Sequence, residues 1–172
     1  TDNTTISGET IDYGPCAFMD AYHPERRFSS IDEGGRYAYD QQPRIALWNL
    51  ARLAEALLPL VAEDEGEAVQ LVTERLEAFP ARFEAAHAAV LRGKLGLLEA
   101  RPEDLTLARE LLGMMAKSQA DFTNTFRALT RDALAPAGAP EGVAAMPGAE
   151  ALPAWGERWR ARRAAEAAAP EA

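Results

Sequence analysis

From Ile45 to Ala133 apolar side chains recur at steps of three and four residues, a rhythm that commits most of this chain to α-helices. Pro43 suits the first turn of a helix, where its missing N–H costs nothing. That helix would carry Leu47, Leu50, Ala51, Ala54, Leu57, Leu58 and Val61 on one face, and Ile45 and Trp48 widen the face enough to predict a mostly buried element. The acidic run Glu63-Asp64-Glu65-Gly66-Glu67 starts the next helix, because carboxylates offset the exposed amide dipoles of a first turn. Its stripe, Val69, Val72, Leu76, Phe79, Phe83, Ala86 and Val90, runs on through Pro80. An interior proline costs about 3 kcal/mol, so a kink or two abutting helices are expected there. Gly93 and Gly96 should end the segment.

Pro102-Glu103-Asp104 opens a third helix bearing Leu105, Ala108, Leu111, Leu112 and Met115. Ser118 is the expected cap of a fourth, with Phe122, Phe126, Leu129 and Ala133 on one face. Residues 135–153 have the proline, glycine and alanine content of a linker. A last amphipathic piece from Trp155 to Ala168, inside a terminal segment 154–172, would be marginal without a partner. Its two tryptophans are expected to pack on the helical body or on sequence outside this chain. Three parts result: a body over 1–134, a linker over 135–153 and a terminal helix and tail over 154–172.

At 172 residues and 48% apolar, the chain is long enough for one domain with a core. A net charge of −9 and a pI near 4.8 exclude the basic face that nucleic-acid binding requires. One cysteine, Cys16, excludes an internal disulfide framework and a thiolate zinc site; in its apolar setting it reads as a small buried hydrophobe. No apolar run approaches the roughly 20 residues a membrane helix needs, and the opening residues do not read as a signal peptide. A bacterial cytoplasm is the expected compartment. The chain opens without methionine inside what reads as a functional loop, so a fragment of a longer protein is expected.

That opening carries the chemistry. Asp2, Asn3 and Asp12 are hard oxygen ligands, and the intervening Thr4-Thr5-Ile6-Ser7-Gly8-Glu9-Thr10-Ile11 reads as a tight β-hairpin with Gly8-Glu9 at its turn. Closing it sets Asn3 beside Asp12, an amide oxygen and a carboxylate with room left for water and phosphate, which suits Mg²⁺. Asn3 and Asp12 are also ordinary turn residues, and a cap plus a strand-end carboxylate is the alternative. Residues 16–22 are expected to form a turn or two of helix ended by His23-Pro24. Residues 25–42 form a polar, irregular loop with Arg26, Arg27 and Arg36, of a length that is uncommon unless functional or mobile. Those arginines read first as solvated charges, with contact to phosphate or an acidic substrate as the alternative. His23 and His87 have no partner at ligand spacing.

The order Asn, short hairpin, Asp-aromatic-Gly matches the metal-holding residues of protein kinases, with Asp12-Tyr13-Gly14 in place of D-F-G and a shorter separation. The whole run from Thr1 to Pro15 resembles the active-site segment of the selenoprotein O family, also called YdiU or UPF0061. Gly35-Arg36-Tyr37-Ala38-Tyr39-Asp40-Gln41-Gln42-Pro43, with Leu47-Trp48-Asn49-Leu50 and Arg52-Leu53-Ala54, is similar to its next signature. Lys94-Leu95-Gly96 and Asp121-Phe122-Thr123-Asn124-Thr125-Phe126-Arg127 are similar to looser later segments. The stretch from Arg26 to Glu33 departs from the family pattern.

The resemblance implies a mainly α chain: part of a kinase-like C-lobe, with a short β-hairpin at the metal site followed by a helical array. It implies an enzyme that moves AMP from ATP to protein hydroxyls, with Asn3 and Asp12 holding Mg²⁺ or Mn²⁺ on the nucleotide phosphates and Asp2 as the catalytic acidic residue. ATP and proteins with Ser, Thr or Tyr hydroxyls would be its partners. A Gly-rich loop, a nucleotide-gripping lysine with its glutamate, and the family's C-terminal redox motif are absent from these residues, so the isolated chain is expected to be inactive. Two other readings compete: a kinase-like phosphotransferase, and a non-catalytic helical interaction module.

Overall fold

A computed structural model of the chain describes residues 4–9, 17–134 and 152–167. The mainly α expectation holds: six helices and one short 3-10 turn, with no strand among the described residues. The helices are α1 (Gln42–Val61), α2 (Glu65–Glu77), α3 (Phe79–Lys94), α4 (Asp104–Ser118), α5 (Phe122–Leu134) and α6 (Leu152–Ala167), and the 3-10 turn is Tyr39–Gln41. Two compact units divide the chain. One holds residues 1–18 and 24–85, the other 19–23 and 86–172.

In the first unit α1 packs on α2, and the 3-10 turn leads into α1. Asp64 caps α2, its Oδ1 accepting from the Glu67 amide at 2.8 Å. Pro80 resolves as two abutting helices: α2 ends at Glu77 with Ala78 as its C-cap, and Pro80 stands in the first turn of α3, where no N–H is needed. The prediction of a mostly buried α1 fails. Ile45 is its one buried residue, while Trp48, Leu50, Leu53, Leu57 and Val61 are each more than a third exposed. The physical reason is coverage, since a helix packed on one neighbour buries one stripe and leaves the rest of a wide apolar face open. Val69 and Val90, assigned to the next stripe, are likewise exposed, and Gly93 lies inside α3 rather than ending it.

The second unit has the deeper core. Its buried apolar residues include Leu107, Ala108, Leu111, Leu112 and Met115 of α4, Phe126 and Leu129 of α5, and Leu91, Leu95 and Leu97 from the end of α3 and its loop, with α6 packed on α4. Residues 17–22 are not helical, against expectation. Instead Ala21 forms an isolated bridge with Asp121, Tyr22 N donates to Ala120 O at 2.8 Å, and Phe122 N donates to Asp20 O at 2.7 Å. Ser118 does not cap α5. Its hydroxyl turns back to Met114 O at 2.9 Å, and the cap is Asp121, whose Oδ1 takes the Asn124 amide at 2.7 Å. Gln119, in the left-handed conformation, separates the two helices.

The terminal helix finds its partner within this unit. Trp155 and Trp159, stacked with ring centres 6.0 Å apart, are buried and donate through Nε1 to Leu107 O (2.9 Å) and Leu95 O (2.8 Å). Beside them Arg162 is buried, its Nε and Nη2 on the Asp104 carboxylate at 2.8 and 3.2 Å and Nη2 also on Glu99 O at 2.8 Å. Its Nη1 forms an ion pair with Glu166 at 2.8 Å, and Glu166 in turn accepts the Leu98 and Glu99 amides, both at 3.0 Å. Asp104, read from sequence as a first-turn acid, is therefore the buried counter-charge of α6.

Removing one member of a buried pair leaves the other desolvated and uncompensated. Arg162→Ala should cost about 3–5 kcal/mol of unfolding free energy, read by urea denaturation. Burial opposes the charge on Glu166, but the Leu98 and Glu99 amides and the Arg162 guanidinium outweigh it and hold the carboxyl below the usual carboxylate range. Such a group stabilises fully above its unfolded pKa, about 4.3, and that stability is lost as pH falls through the lower folded value. Thermal midpoints should fall as pH drops below about 4.3, and Glu166→Gln should flatten that acid-side slope while lowering the neutral-pH midpoint.

Candidate functional site

The predicted ligands and catalytic acid, Asp2, Asn3 and Asp12, lie outside the described residues, as does Cys16. The segment between the ligands is described over 4–9. There the Thr5 hydroxyl donates to Glu9 O at 2.9 Å, the Ser7 hydroxyl to Thr5 Oγ1 at 3.2 Å, and Glu9 N to Ser7 Oγ at 3.3 Å. Gly8 has φ +73°, the left-handed conformation that a glycine-first hairpin turn demands. The described turn falls at Ile6 and Ser7, with bends at Gly8 and Glu9 and no strand over 4–9, and Thr10, which would close the predicted Gly8-Glu9 turn, lies outside the described residues. The return arm of the hairpin falls on undescribed residues. Among the described residues no group of three or more His, Cys, Asp or Glu side chains is placed to hold a metal ion.

Downstream, the long loop is ordered by a carboxylate that sequence reasoning missed. Asp32 is buried and accepts two consecutive amides, Arg36 N at 2.7 Å and Tyr37 N at 3.0 Å, while its own N–H and C=O close turns with Ser29 and Gly35. The available signal was Asp-x-Gly-Gly, an acceptor side chain just ahead of turn glycines. Gly35 has φ +65°, and a Cβ there would meet Arg27 Nε at 3.3 Å, so the first residue of the signature is fixed by backbone shape and by the arginine laid against it. Arg27 also donates to Glu33 O at 2.7 Å. The loop is pinned at its base, with Tyr39 N on Arg26 O and Asp40 N on Pro24 O.

The signature binds to itself. Gln42 Nε2 donates to Tyr37 O at 2.6 Å, and the Arg36 guanidinium lies over the Trp48 ring at 4.8 Å and the Tyr37 ring at 5.6 Å. Arg36 is therefore a stacked side chain, not the solvated charge expected from sequence. Burial pushes the Tyr39 phenol above its ordinary value. The two looser segments also meet, within the second unit: the Lys94 ammonium sits 5.1 and 5.0 Å from the ring centres of Phe122 and Phe126, and Leu95 supplies the carbonyl for Trp159. Residues up to 64 positions apart thus share one packing site through rings and a cation rather than through catalytic groups.

The sequence profile described as protein adenylyltransferase SelO matches residues 1–159. The chain belongs to the SelO family. Curated SelO relatives named protein nucleotidyltransferase YdiU agree over nearly all of it. The protein from Bradyrhizobium diazoefficiens is 57% identical over 166 residues, 96% of this chain and 34% of that protein. Those from Alkalilimnicola ehrlichii and Halalkalibacterium halodurans are 55% and 54% identical, over 92% and 94% of this chain and 32% of each protein. The chain spans about a third of the length of the SelO relatives it matches.

The Asp32 latch carries a prediction. Asp32→Ala leaves the Arg36 and Tyr37 amides without their acceptor, so their hydrogen exchange should accelerate at least as much as the global stability loss, about 1–3 kcal/mol, accounts for. Asp32→Asn, which keeps one acceptor oxygen, should retain part of the protection.

Proposed function

We propose that this chain is the metal-holding half of a Mg²⁺-dependent protein adenylyltransferase with a protein-kinase-like fold, acting in the bacterial cytoplasm. The observation that carries the reading is the pair Asn3 and Asp12, nine positions apart around the Gly8 turn, inside the span matched by the SelO profile. The relatives' names, protein nucleotidyltransferase, support the same reaction class. In this reading residues 1–134 form part of a kinase-like C-lobe, followed by a linker, which the sequence placed at 135–153 but which ends before Leu152 where α6 begins, and by a terminal helix and tail.

The donor set fits the ion. An amide oxygen and a carboxylate are hard ligands that leave positions for water and phosphate, as Mg²⁺ prefers, and Mn²⁺ accepts the same set. Bound there, the metal supplies positive charge against the phosphate oxygens. Asp2, next to Asn3, orients a Ser, Thr or Tyr hydroxyl and takes its proton as the hydroxyl oxygen bonds to the α-phosphorus of ATP and the bond to the β-phosphate oxygen breaks. The products are protein–O–AMP and pyrophosphate. The loop ordered by Asp32, downstream of Asp12 in the sequence, offers an incoming protein substrate a surface of fixed shape.

In a polypeptide of the relatives' length, Asp12→Ala should lower transfer of label from α-³²P-ATP to protein about a hundredfold or more, with the circular dichroism spectrum unchanged. Label from γ-³²P-ATP should not reach protein in either form. Undiminished α-labelling in the variant, or γ-labelling of protein, would sink the proposal. The 172-residue chain alone should transfer no label.

A further inference from the structure

The first unit is under-cored. Among the described residues its buried apolar side chains are Ala38, Ile45 and Ala68, against more than a dozen in the second unit, and two of those three are alanines. Where a core would be completed there is instead an open apolar groove of about 510 Å³ between α1, α2 and the start of α3, lined by Leu50, Leu53, Leu57, Leu71, Leu76 and Phe79. Leu53 and Leu57 are 39% and 40% exposed, and Leu60 beyond them 82%. Arg75 and Arg82 also line it. Neither guanidinium makes an ion pair among the described residues.

We propose that this groove is the seat of an amphipathic helix from the part of the family polypeptide that lies outside these 172 residues, apolar on one face and carrying Asp or Glu at its edges opposite Arg75 and Arg82. Three observations favour that occupant. The matched span is only about a third of the relatives' length, so most of the family polypeptide has its packing surfaces elsewhere. Apart from the two arginines the lining is leucine, valine, phenylalanine and alanine, with no side-chain acceptor to orient a small molecule. A second copy of this chain is disfavoured, because a two-fold contact sets a patch against itself and would face the arginines with arginines. An acid-edged helix instead meets the apolar face with leucine-like anchors at i, i+3/i+4 and i+7 and gives each guanidinium a carboxylate.

Amide hydrogen exchange over residues 50–61, without nucleotide, tests this in the 172-residue chain and in a polypeptide of the relatives' length. The longer protein should protect these amides about tenfold or more over the short chain. Leu57→Glu in the longer protein should abolish the gain, and Leu57→Met should keep it. The double reversal Arg75→Glu and Arg82→Glu, which breaks no contact described within the unit, should reduce the gain and leave residues 42–48 unchanged, so a general loss of folding is distinguishable. Equal protection in both lengths overturns the proposal. So does concentration-dependent dimerisation of the short chain that Leu57→Glu abolishes. Asp12→Ala should leave the protection intact, which separates this outcome from that of the AMP-transfer experiment.

Discussion

One buried guanidinium sets the register of the second unit. Arg162 reaches Asp104, 58 positions earlier, with two parallel hydrogen bonds, and takes Glu99 O and Glu166 as well. Removing a guanidinium from water is costly, and only a full set of oppositely charged and carbonyl partners offsets it. Those partners exist at a single placement of α6 against α4 and the loop after α3. The same placement aims both indole N–H groups at carbonyls, so positions 155, 159, 162 and 166 form one stripe that is apolar at one end and ionic at the other. A helix slip of one residue would break every one of these contacts together.

The first unit is organised by hydrogen bonds more than by burial. Asp32 does for the loop what a helix N-cap does for a helix, collecting amides that would otherwise point into a crowded turn. Arg36, Tyr37, Gln42 and Trp48 then tie the loop to the first two turns of α1. The contiguity of the Gly-Arg-Tyr and Gln-Gln-Pro signature with the Leu-Trp-Asn-Leu segment thus has a mechanical basis. Ring, guanidinium and amide from one stretch close on one another, and the stretch acts as a rigid brace for whatever precedes it.

Helix existence was legible because apolar spacing and proline position are local signals: α2 and α3 abut at Pro80, and α4 opens after Pro102, as periodicity required. Partners were not legible. Asp104 looks like any first-turn acid until Arg162 arrives from far along the chain, and Ser118 looks like a cap until Asp121 proves to be better placed. Burial of α1 was misjudged because amphipathicity states which face is apolar, not what covers it. Of the candidate site, the left-handed backbone at Gly8 followed from residue type, whereas the Asp32 latch depends on backbone geometry across a loop whose polar composition carries no period. Asp2, Asn3 and Asp12 rest on motif order and family membership.

The three tryptophans divide unequally between the units, and this makes the chain its own optical gauge. Trp155 and Trp159 are sealed from water and nearly parallel, with a 10° angle between rings, so their emission is that of a dry, coupled pair. Trp48, 46% exposed and flanked by the Arg36 and Arg52 guanidinium groups, emits as a hydrated indole beside cations. Loss of the blue component therefore reports release of α6 from α4, while a blue shift of the remaining component reports something settling over α1. The two halves of the chain can be followed separately, in one cuvette and without a label.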